Sequence, residues 1–314
     1  MWQPTAPLSH LRLRAQLLSQ IRQFFVERQV LEVETPLLSQ HTVTDQYIDS
    51  FKTTYRNGND EQAYYLQTSP EYAMKRLLAA GSGSIFQITK AFRNGEIGNQ
   101  HNPEFSLLEW YRVGFNHHDL MDEVDALLQH VMGTTQAERI SYQALFMHTL
   151  NIDPQDCELS ALLAAIKSHK IHVSPSVQDK DTLLQLLLTH LIEPTLGIKA
   201  PLFLYDFPAT QAALARIHNG VAARFEVYIA GMELANGFHE LTNAEEQLHR
   251  FHTDQHHRKC CNKEVPNIDQ RLISALQHGL PDCAGVALGL DRLLTLLTKT
   301  THIKNILSFS WEHA

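Results

Sequence analysis

Two arginines follow apolar segments at positions suited to phosphate binding. Arg93 ends the apolar run before the polar loop of AFRNGEIGNQHNPEFSLLEWY, and Arg292 follows the small-residue segment VALGL. A guanidinium offers a planar fork of donors that matches two phosphate oxygens, whereas lysine offers only a point charge. Gly289, near Arg292, would let a ligand or another backbone approach closely. Taken singly, each arginine would also suit a surface salt bridge.

Two glutamates in GMELANGFHEL (231–241) indicate a cation site. Glu233 and Glu240 lie seven positions apart, which in an unbroken strand would place them on opposite faces. Asn236-Gly237 between them is a strong hairpin signal, and a turn there would set the two carboxylates opposite each other. Such carboxylates repel unless a cation lies nearby, and oxygen ligands favour Mg²⁺ with substrate phosphates. Alternatively, Glu240 only favours the N-terminus of the following helix.

Acidic side chains accompany aromatic ones elsewhere in the sequence: Glu71, Glu109 and Glu240 with Phe105, Tyr111 and Phe238. A cleft lined in this way would suit a small substrate that carries two ammonium groups. The indication is weaker than that for phosphate, because an acidic chain carries such glutamates by chance.

A histidine-rich helix offers a second kind of metal site. His252, His256 and Cys260 recur every four residues on one helical face. Neighbouring histidines and Lys263 give them no fixed geometry, so a solvated helix face is the favoured interpretation. The four cysteines form no CxxC pair and are expected to be free thiols.

The elements that position these residues can be placed by periodicity. Residues 9–30 predict a long amphipathic helix with Ser9 as N-cap, and 68–83 predict a short helix with Pro70 in its first position. Residues 91–111 predict two strands joined by a long loop. Residues 117–200 predict a mostly helical insertion, after which strands return and Thr242 begins a capping box. Strands early and late around a helical middle predict an antiparallel-rich α+β fold.

Composition excludes several classes of protein. The chain has 314 residues, 44% of them hydrophobic, enough for a substantial core. Its net charge of -8 opposes nonspecific attraction to nucleic acid. The sequence contains no run of about 18 uncharged apolar residues of the kind that spans a membrane, and the N-terminus lacks signal-peptide features. We therefore expect a cytoplasmic protein without a membrane partner.

Together these segments resemble the catalytic domain of class II aminoacyl-tRNA synthetases, and lysyl-tRNA synthetase most closely. EVETPLL resembles motif 1, FRNGEIGNQHNPEF with LLEWY resembles motif 2, GVALGLDRLLTL resembles motif 3, and ELANGFHEL resembles the acidic metal and amino-acid segment. The resemblance extends from about residue 10 to residue 312. It implies one α+β catalytic domain over 1–314, an antiparallel sheet flanked by helices, with a helical insertion at about 117–200.

The position of motif 1 bears on the substrate. Motif 1 begins near residue 30, which leaves no room for the anticodon-binding OB-fold of a lysyl-tRNA synthetase, so tRNA binding is not expected. The sequence segments VLEVETP, TSPEY, HNPEF and ELANGFHELT resemble those of the lysyl-tRNA synthetase paralogues that ligate (R)-β-lysine to a lysine of elongation factor P. Resemblance in motif 1 also implies a homodimer.

The resemblance implies ATP as co-substrate, Mg²⁺, an aminoacyl adenylate intermediate and elongation factor P as acceptor. Arg93 and Arg292 would be catalytic, holding the α-phosphate and the γ-phosphate end. The ATP site would comprise Arg93, Asn94, Gly95, Glu96, His101, Asn102, Phe105, Glu233, Leu234, Gly289 and Arg292, with Phe105 and Arg292 sandwiching adenine. Glu233 and Glu240 would hold Mg²⁺. The amino-acid pocket would comprise Ser69, Pro70, Glu71, Glu109, Tyr111, Asn236, Phe238, Glu240 and Ala287.

Three positions depart from the family pattern. Lysyl-tRNA synthetases usually carry glycine where this chain has Ala287, and often at Ala235; the added methyl of Ala287 would disfavour an α-ammonium and tolerate a β-ammonium. The family sequence Arg-Asn-Glu here has Gly95 in the third place, with the acid displaced to Glu96. A shift of one residue in a strand turns a side chain to the other face, although Gly95 could let the backbone restore it.

Two other functions stay open. One is an amino-acid-activating ligase for another substrate, such as α-lysine, or an asparagine-synthetase-like reaction. The other is a regulatory paralogue without catalysis, whose sign would be loss of Arg93, Arg292 or the paired glutamates; none is lost.

Overall fold

The computed structural model describes residues 2–174 and 177–314. The chain divides into two compact units. The first comprises Met1–Gly114, Thr242–Cys283 and Ala287–Ala314, and the second comprises Phe115–Leu241 with Ala284–Val286. The single catalytic domain over 1–314 stays a prediction.

In chain order the elements are α1 (Leu8–Glu27), β1 (Leu31–Glu32), β2 (Leu38–Ser39), β3 (Lys52–Asn57), β4 (Asp60–Leu66), α2 (Glu71–Ala79), β5 (Ile85–Phe92), β6 (Glu104–Val113), α3 (His117–Met132), β7 (Glu138–Ser141), α4 (Tyr142–Leu150), α5 (Leu159–Ser168), α6 (Lys180–Leu187), β8 (Leu202–Pro208), β9 (Ile217–His218), β10 (Val221–Ile229), β11 (Met232–His239), α7 (Ala244–Cys260), α8 (Gln270–Gly279), β12 (Cys283–Gly289) and α9 (Leu290–Thr298). A π-helical turn, Leu188–Ile192, and short 3₁₀ helices complete the secondary structure.

In the first unit, β5 pairs antiparallel with β6 and parallel with β1. A separate antiparallel sheet has the order β2-β4-β3. Helix α1 buries Phe25, whose ring stacks on Phe86 of β5 with centroids 4.5 Å apart and meets Trp110 of β6 edge-on. This aromatic cluster fixes the strand pair that bears the polar loop of residues 93–103. The predicted first helix is confirmed, but Pro7, not Ser9, is its N-cap.

In the second unit, β10 pairs antiparallel with β8, β9 and β11, and β7 runs parallel to β8. The predicted helical middle contains α3 to α6, and α4, α5 and α6 pack a core around Tyr142, Phe146 and Phe207. Strand β7 lies within this segment too. Antiparallel pairing predominates in both units, so the predicted α+β class is confirmed.

Two predicted caps fall one residue away from their observed places. Pro70 is the N-cap of α2 rather than its first helical residue, and Ser69 Oγ accepts a hydrogen bond from the Glu71 backbone N–H at 3.0 Å. Asn243, not Thr242, caps α7, because its side chain accepts from the Glu246 N–H. Among the described residues, none of the helices is both long enough and apolar enough to cross a membrane.

Candidate active site

The polar loop between β5 and β6 confirms the prediction of two strands joined by a long loop. The Arg93 N–H donates to the Pro103 carbonyl at 2.9 Å and closes the base of the loop, and the Asn94 N–H donates to the Asp49 carbonyl at 2.7 Å. Asp49 is itself held by the side chains of Arg258 and Lys263. The loop is therefore anchored at both sides of its first turn.

The Arg93 side chain is half-buried and weakly engaged. Its Nε is buried and has no hydrogen-bond partner among the described residues, and its nearest carboxylate oxygen, Glu96 Oε1, stands 3.9 Å from Nη1. The guanidinium carbon lies 5.2 Å from the Phe105 ring centroid. A buried donor without a partner is costly, which indicates a site for an acceptor such as a phosphate oxygen.

Gly95 supplies the backbone freedom that the displaced acid requires. Its φ is +84°, a left-handed value that side-chain-bearing residues adopt only at a cost. Beyond this turn, the Glu96 carboxylate faces Arg93 in spite of its shifted position. Arg93 and Glu96, which a regular strand would place on opposite faces, thus lie on the same side of the loop.

Glu96→Ala is expected to weaken ATP use by roughly threefold to tenfold in KM, because a 3.9 Å ion pair that is partly exposed contributes on the order of 1 kcal/mol. Pyrophosphate exchange at varied ATP would measure the change. An unaltered KM and kcat would show that Glu96 has not taken the place of the family glutamate.

The residues predicted to bind the distal end of ATP lie around the start of α9. Together with the Arg93 loop we call them the nucleotide group. Arg292 Nη2 lies 2.7 Å from His101 Nε2, so the predicted γ-phosphate ligand contacts the motif 2 loop. At Gly289 an added Cβ would lie in ordinary contact with the Arg292 side chain at 3.6 Å. Asn102 is buried, and its amide donates to the Glu104 carbonyl and accepts from the Trp311 N–H. Its side chain therefore anchors the end of the loop.

Asp291 is a positioning residue that sequence reasoning missed. It is 2% exposed, forms an ion pair with Arg14 of α1, and accepts the Ser106 backbone N–H at 2.7 Å. These contacts fasten the start of α9 to β6 and thereby hold Arg292 in place. The signal was an acidic residue directly after an apolar strand, where an unpaired carboxylate would not be buried.

The predicted amino-acid residues of the first unit meet at Glu109. This buried carboxylate accepts from Ser69 Oγ and from the Tyr111 hydroxyl, each at 2.7 Å. Glu71, by contrast, accepts from Lys75 Nζ at 2.6 Å within α2, and Lys75 is itself buried. Two neutral donors therefore fix the orientation of the Glu109 carboxylate, whereas part of the Glu71 charge is already neutralised by Lys75.

The predicted hairpin turn at Asn236-Gly237 is wrong. Strand β11 continues through both residues, and the turn lies at Ala230-Gly231, where φ is +52° and +73°. Positive φ at both central positions is the signature of a type I′ hairpin. Gly237 is required for a different reason: an added Cβ would stand 2.4 Å from Phe225 Cζ on the neighbouring strand.

A β-bulge nevertheless brings the two glutamates to one face. In the β10–β11 register Tyr228 opposes Glu233 while Val227 opposes Ala235, so Leu234 is an extra residue. One extra residue reverses the alternation beyond it, and Glu233 therefore shares its face with Asn236, Phe238 and Glu240.

The distance along the strand rules out one shared cation. Glu233 and Glu240 lie about six strand positions apart, which at roughly 3.3 Å per residue is ~20 Å. Their predicted joint Mg²⁺ site was therefore wrong, since it rested on the hairpin turn. Glu240 is 1% exposed and its backbone carbonyl accepts from Arg216 Nε.

Glu226 on β10 is the carboxylate neighbour of Glu233 that sequence reasoning missed. Opposed residues of paired strands share a face, so Glu226 lies beside Glu233 and opposite Asn236. It forms an ion pair with Arg224 and accepts from the Tyr228 hydroxyl at 2.5 Å. Arg224 Nε also donates to Asn236 Oδ1 at 3.2 Å. The alternating Arg-Phe-Glu-Val-Tyr pattern of β10 was the available signal.

Burial raises the pKa of Glu226 to about 7, and the nearby Glu233 charge acts in the same direction, while Arg224 and the Tyr228 hydrogen bond oppose it. Burial beside Glu226 likewise holds the pKa of Tyr228 well above its usual range. Two carboxylates that disfavour each other's charge on one sheet face fit a divalent cation with hard oxygen ligands.

Glu226→Gln is expected to remove a pH dependence of stability in metal-free protein. The pKa of Glu226 in the folded state, about 7, exceeds its ordinary 4.5. The folded state thus binds this proton more tightly than the unfolded state does. The resulting increase in the free energy of unfolding, up to ~3 kcal/mol, is complete below about pH 4.5 and is lost as pH rises through about 7. Urea unfolding with a chelator at pH 5 to 8 would measure it; equal slopes in wild type and variant would contradict it.

The histidine-rich face of α7 is exposed. Cys260 Sγ lies 3.6 Å from His256 Nε2, and His252 Nδ1 contacts Gln255. Within the described part of the chain, the ligand atoms that converge belong instead to His117, His118 and Asp206. The solvated interpretation of α7 thus fits the geometry better than a metal site does.

Comparison with known proteins agrees with this geometry. The family model for tRNA synthetases class II (D, K and N) matches residues 5–313. A protein of Haemophilus influenzae (strain PittGG) is 48% identical over all of this chain and 98% of its own length. One of Vibrio cholerae serotype O1 is 52% identical, with 100% and 98% covered, and one of Yersinia enterocolitica is 49% identical, with 98% and 97% covered. Each bears the name elongation factor P (R)-β-lysine ligase.

Proposed function

The chain belongs to the class II tRNA synthetase family, and from this premise we propose that it is an ATP-dependent ligase that attaches (R)-β-lysine to a lysine side chain of elongation factor P. The observation that carries the proposal is the pair of arginines on the motif 2 loop and α9, with the buried Arg93 Nε lacking a partner among the described residues. Relatives of about equal length that bear this ligase name support the choice of substrate and acceptor.

The reaction has two steps. The carboxylate of the amino acid attacks the α-phosphorus of ATP, an oxygen–phosphorus bond forms, and pyrophosphate leaves. The amine of the acceptor lysine then attacks the adenylate carbonyl, an amide bond forms, AMP leaves and the amine loses a proton. Catalysis consists mainly of positioning and charge stabilisation, because neither step needs a covalent nucleophile from the enzyme.

The residues present divide these tasks. Arg93 binds the α-phosphate oxygens, and Arg292 with His101 binds the distal end of ATP. Phe105 stacks on adenine. Glu109, oriented by Ser69 and Tyr111, receives one ammonium group, and the buried Glu240 receives the other. The family resemblance assigns Asn236, Phe238 and Ala287 to the amino-acid pocket, while Pro70 and Asn102 hold the backbone.

Mg²⁺ fits the sheet face that carries Glu226 and Glu233, because these are adjacent hard oxygen donors whose charges repel. When bound, the ion supplies positive charge that screens the phosphates. Leu234, Asn94, Gly95 and Glu96 would contribute backbone or side-chain contacts to ATP. We also expect a homodimer in the cytoplasm without tRNA as a substrate, predictions that rest on the sequence.

The deciding experiment is intact-mass analysis of elongation factor P after incubation with this protein, ATP, Mg²⁺ and (R)-β-lysine. A gain of one β-lysyl group supports the proposal, and no gain contradicts it. Pyrophosphate exchange with a panel of amino acids tests the alternatives: exchange with α-lysine alone would indicate another ligase, and no exchange with any amino acid would indicate a regulatory paralogue.

Ala287→Gly is expected to raise activation of α-lysine relative to β-lysine by roughly tenfold or more, because removal of one methyl from a pocket wall changes binding by about 1–3 kcal/mol. Pyrophosphate exchange with both isomers measures the ratio. Ala284→Gly, in the same strand, is the control for glycine in β12. An unchanged ratio in Ala287→Gly would show that this methyl does not select the isomer.

A further inference from the structure

A group of two histidines and one aspartate lies in the second unit, apart from the residues assigned above. His117 and His118 begin α3, and Asp206 lies in β8. The His117 Nε2 atom is 3.1 Å from Asp206 Oδ1, and the ligand atoms of all three residues lie within 4.8 Å of one another. Ligand atoms on one tetrahedral ion with bonds of about 2.0–2.1 Å are separated by roughly 3.3 Å, so small rotations suffice to place an ion among them.

The backbone on both sides holds these side chains in place. Asn116 caps α3 with a full capping box, since its side chain accepts from the N–H groups of His118 and Asp119 and the Asp119 carboxylate accepts from the Asn116 N–H. This fixes the first helical turn. The two imidazole rings are 4.1 Å apart at their centroids. Adjacent helical residues do not normally face each other. The short distance between these two rings therefore indicates that both side chains turn toward the same place.

Asp206 adopts a backbone conformation that strands rarely contain. Its φ is +56°, and the β8–β10 register shifts between Ala222 and Phe225, opposite this residue. A residue other than glycine in the left-handed region is strained, although aspartate tolerates this conformation better than most. Such a bulge re-aims a side chain. Its result here is that the carboxylate reaches His117.

One ring nitrogen of His117 requires an explanation. The residue is 9% exposed, and Nδ1 is buried without a hydrogen-bond partner among the described residues. A buried polar nitrogen of this kind favours a polar ligand beside it.

We propose that His117, His118 and Asp206 bind a divalent transition metal ion of the zinc class. Two imidazoles and one carboxylate are the donor set such ions take, with a fourth position left for water, whereas Mg²⁺ prefers oxygen donors alone. The ion would fasten the start of α3 to Asp206 of β8, which lies opposite the bulge of β10. His239 lies near this group, since its ring centroid is 6.3 Å from that of His117 and the two ring planes are inclined by 26°. Glu240 follows it directly, which links the site to a substrate ligand.

The test is equilibrium dialysis of the full chain against Zn²⁺, removal of free metal and quantification by elemental mass spectrometry. Wild type is expected to retain about one ion per chain, and His118→Ala and Asp206→Asn at least tenfold less. Asparagine also tolerates positive φ, so Asp206→Asn tests the carboxylate while the bulge is kept. His256→Ala on the exposed face of α7 is the matched control and should retain the ion.

Two further readouts do not depend on activity. Zn²⁺ should raise the Tm of wild type and of His256→Ala but leave that of His118→Ala unchanged, because only a folded site binds the ion. Bound Co²⁺ should show tetrahedral d–d bands without a thiolate charge-transfer band. The proposal is overturned if wild type retains no ion, if both site variants retain it, or if His256→Ala loses it together with a thiolate band that assigns the ion to Cys260.

Discussion

Arg93→Ala should reduce kcat/KM for ATP in pyrophosphate exchange by roughly 10²- to 10³-fold. Removal of one preorganised donor to a charge that develops in the transition state has effects of this size. Arg93 is such a donor, because the loop base fixes its backbone and its Nε is buried without a partner among the described residues. Its ion pair with Glu96, at 3.9 Å, is too long to compete strongly with a phosphate.

Arg93→Lys separates charge from geometry. Lysine keeps the positive charge but loses the planar fork, so we expect most of the loss to persist. Arg56→Ala is the matched control, since Arg56 is an exposed arginine of the same unit that pairs with Glu61 at 2.7 Å. A value of kcat/KM within twofold of wild type in Arg93→Ala would exclude Arg93 from contact with ATP.

The nucleotide group could be predicted in most of its parts because its signals are local. An arginine at the end of an apolar run, a long polar loop and a second apolar run define a strand-loop-strand unit whose ends must meet. The structure confirms the unit, and the positive φ of Gly95 explains how the displaced Glu96 still faces Arg93. The tertiary contacts of Asp291 and Asn102 could not be predicted, because their partners lie far away in sequence.

The acidic face of β11 shows why strand parity is hard to predict. Regular alternation would place Glu233 and Glu240 on opposite faces. The sequence Asn236-Gly237 predicted a hairpin turn that would bring the two carboxylates opposite each other. The structure uses a bulge at Leu234 instead, a defect of one residue that leaves no clear mark in the sequence. With the true register, Glu226 becomes the neighbour of Glu233, and Glu240 lies too far along the strand for the same ion.

The two histidine-rich segments show what composition alone can indicate. HRFHTDQHHRKCCNK is rich in metal-ligand types, but its histidines and cysteines lie at exposed positions of α7 and at its end, as the solvated interpretation expects. NHHD at 116–119 has only two histidines but begins with a capping box, and its third ligand comes from a distant strand. Composition therefore indicates where metal-ligand residue types are frequent, whereas only the fold shows which of them lie close enough together to share an ion.

Glu240→Gln should lower kcat/KM for the amino acid by roughly 10²-fold or more while KM for ATP changes little. Loss of one partner from a buried, charge-assisted contact costs about 2–5 kcal/mol. Glu240 is 1% exposed and lies on the sheet face of Asn236 and Phe238, so an ammonium group bound there would exchange its water for this carboxylate. Glutamine keeps the shape and removes the charge, which confines the effect to electrostatics.

The contrast between the two co-substrates identifies the role of Glu240. If Glu240 held the metal ion for ATP, as the hairpin interpretation required, the variant would raise the KM for ATP and the Mg²⁺ requirement together. If it binds an ammonium group, only the amino-acid dependence changes. Glu245→Gln, an exposed glutamate at the start of α7, is the control for loss of one negative charge. An unaltered dependence on amino-acid concentration would contradict a direct contact, because a buried carboxylate facing the substrate ammonium cannot be neutralised without cost.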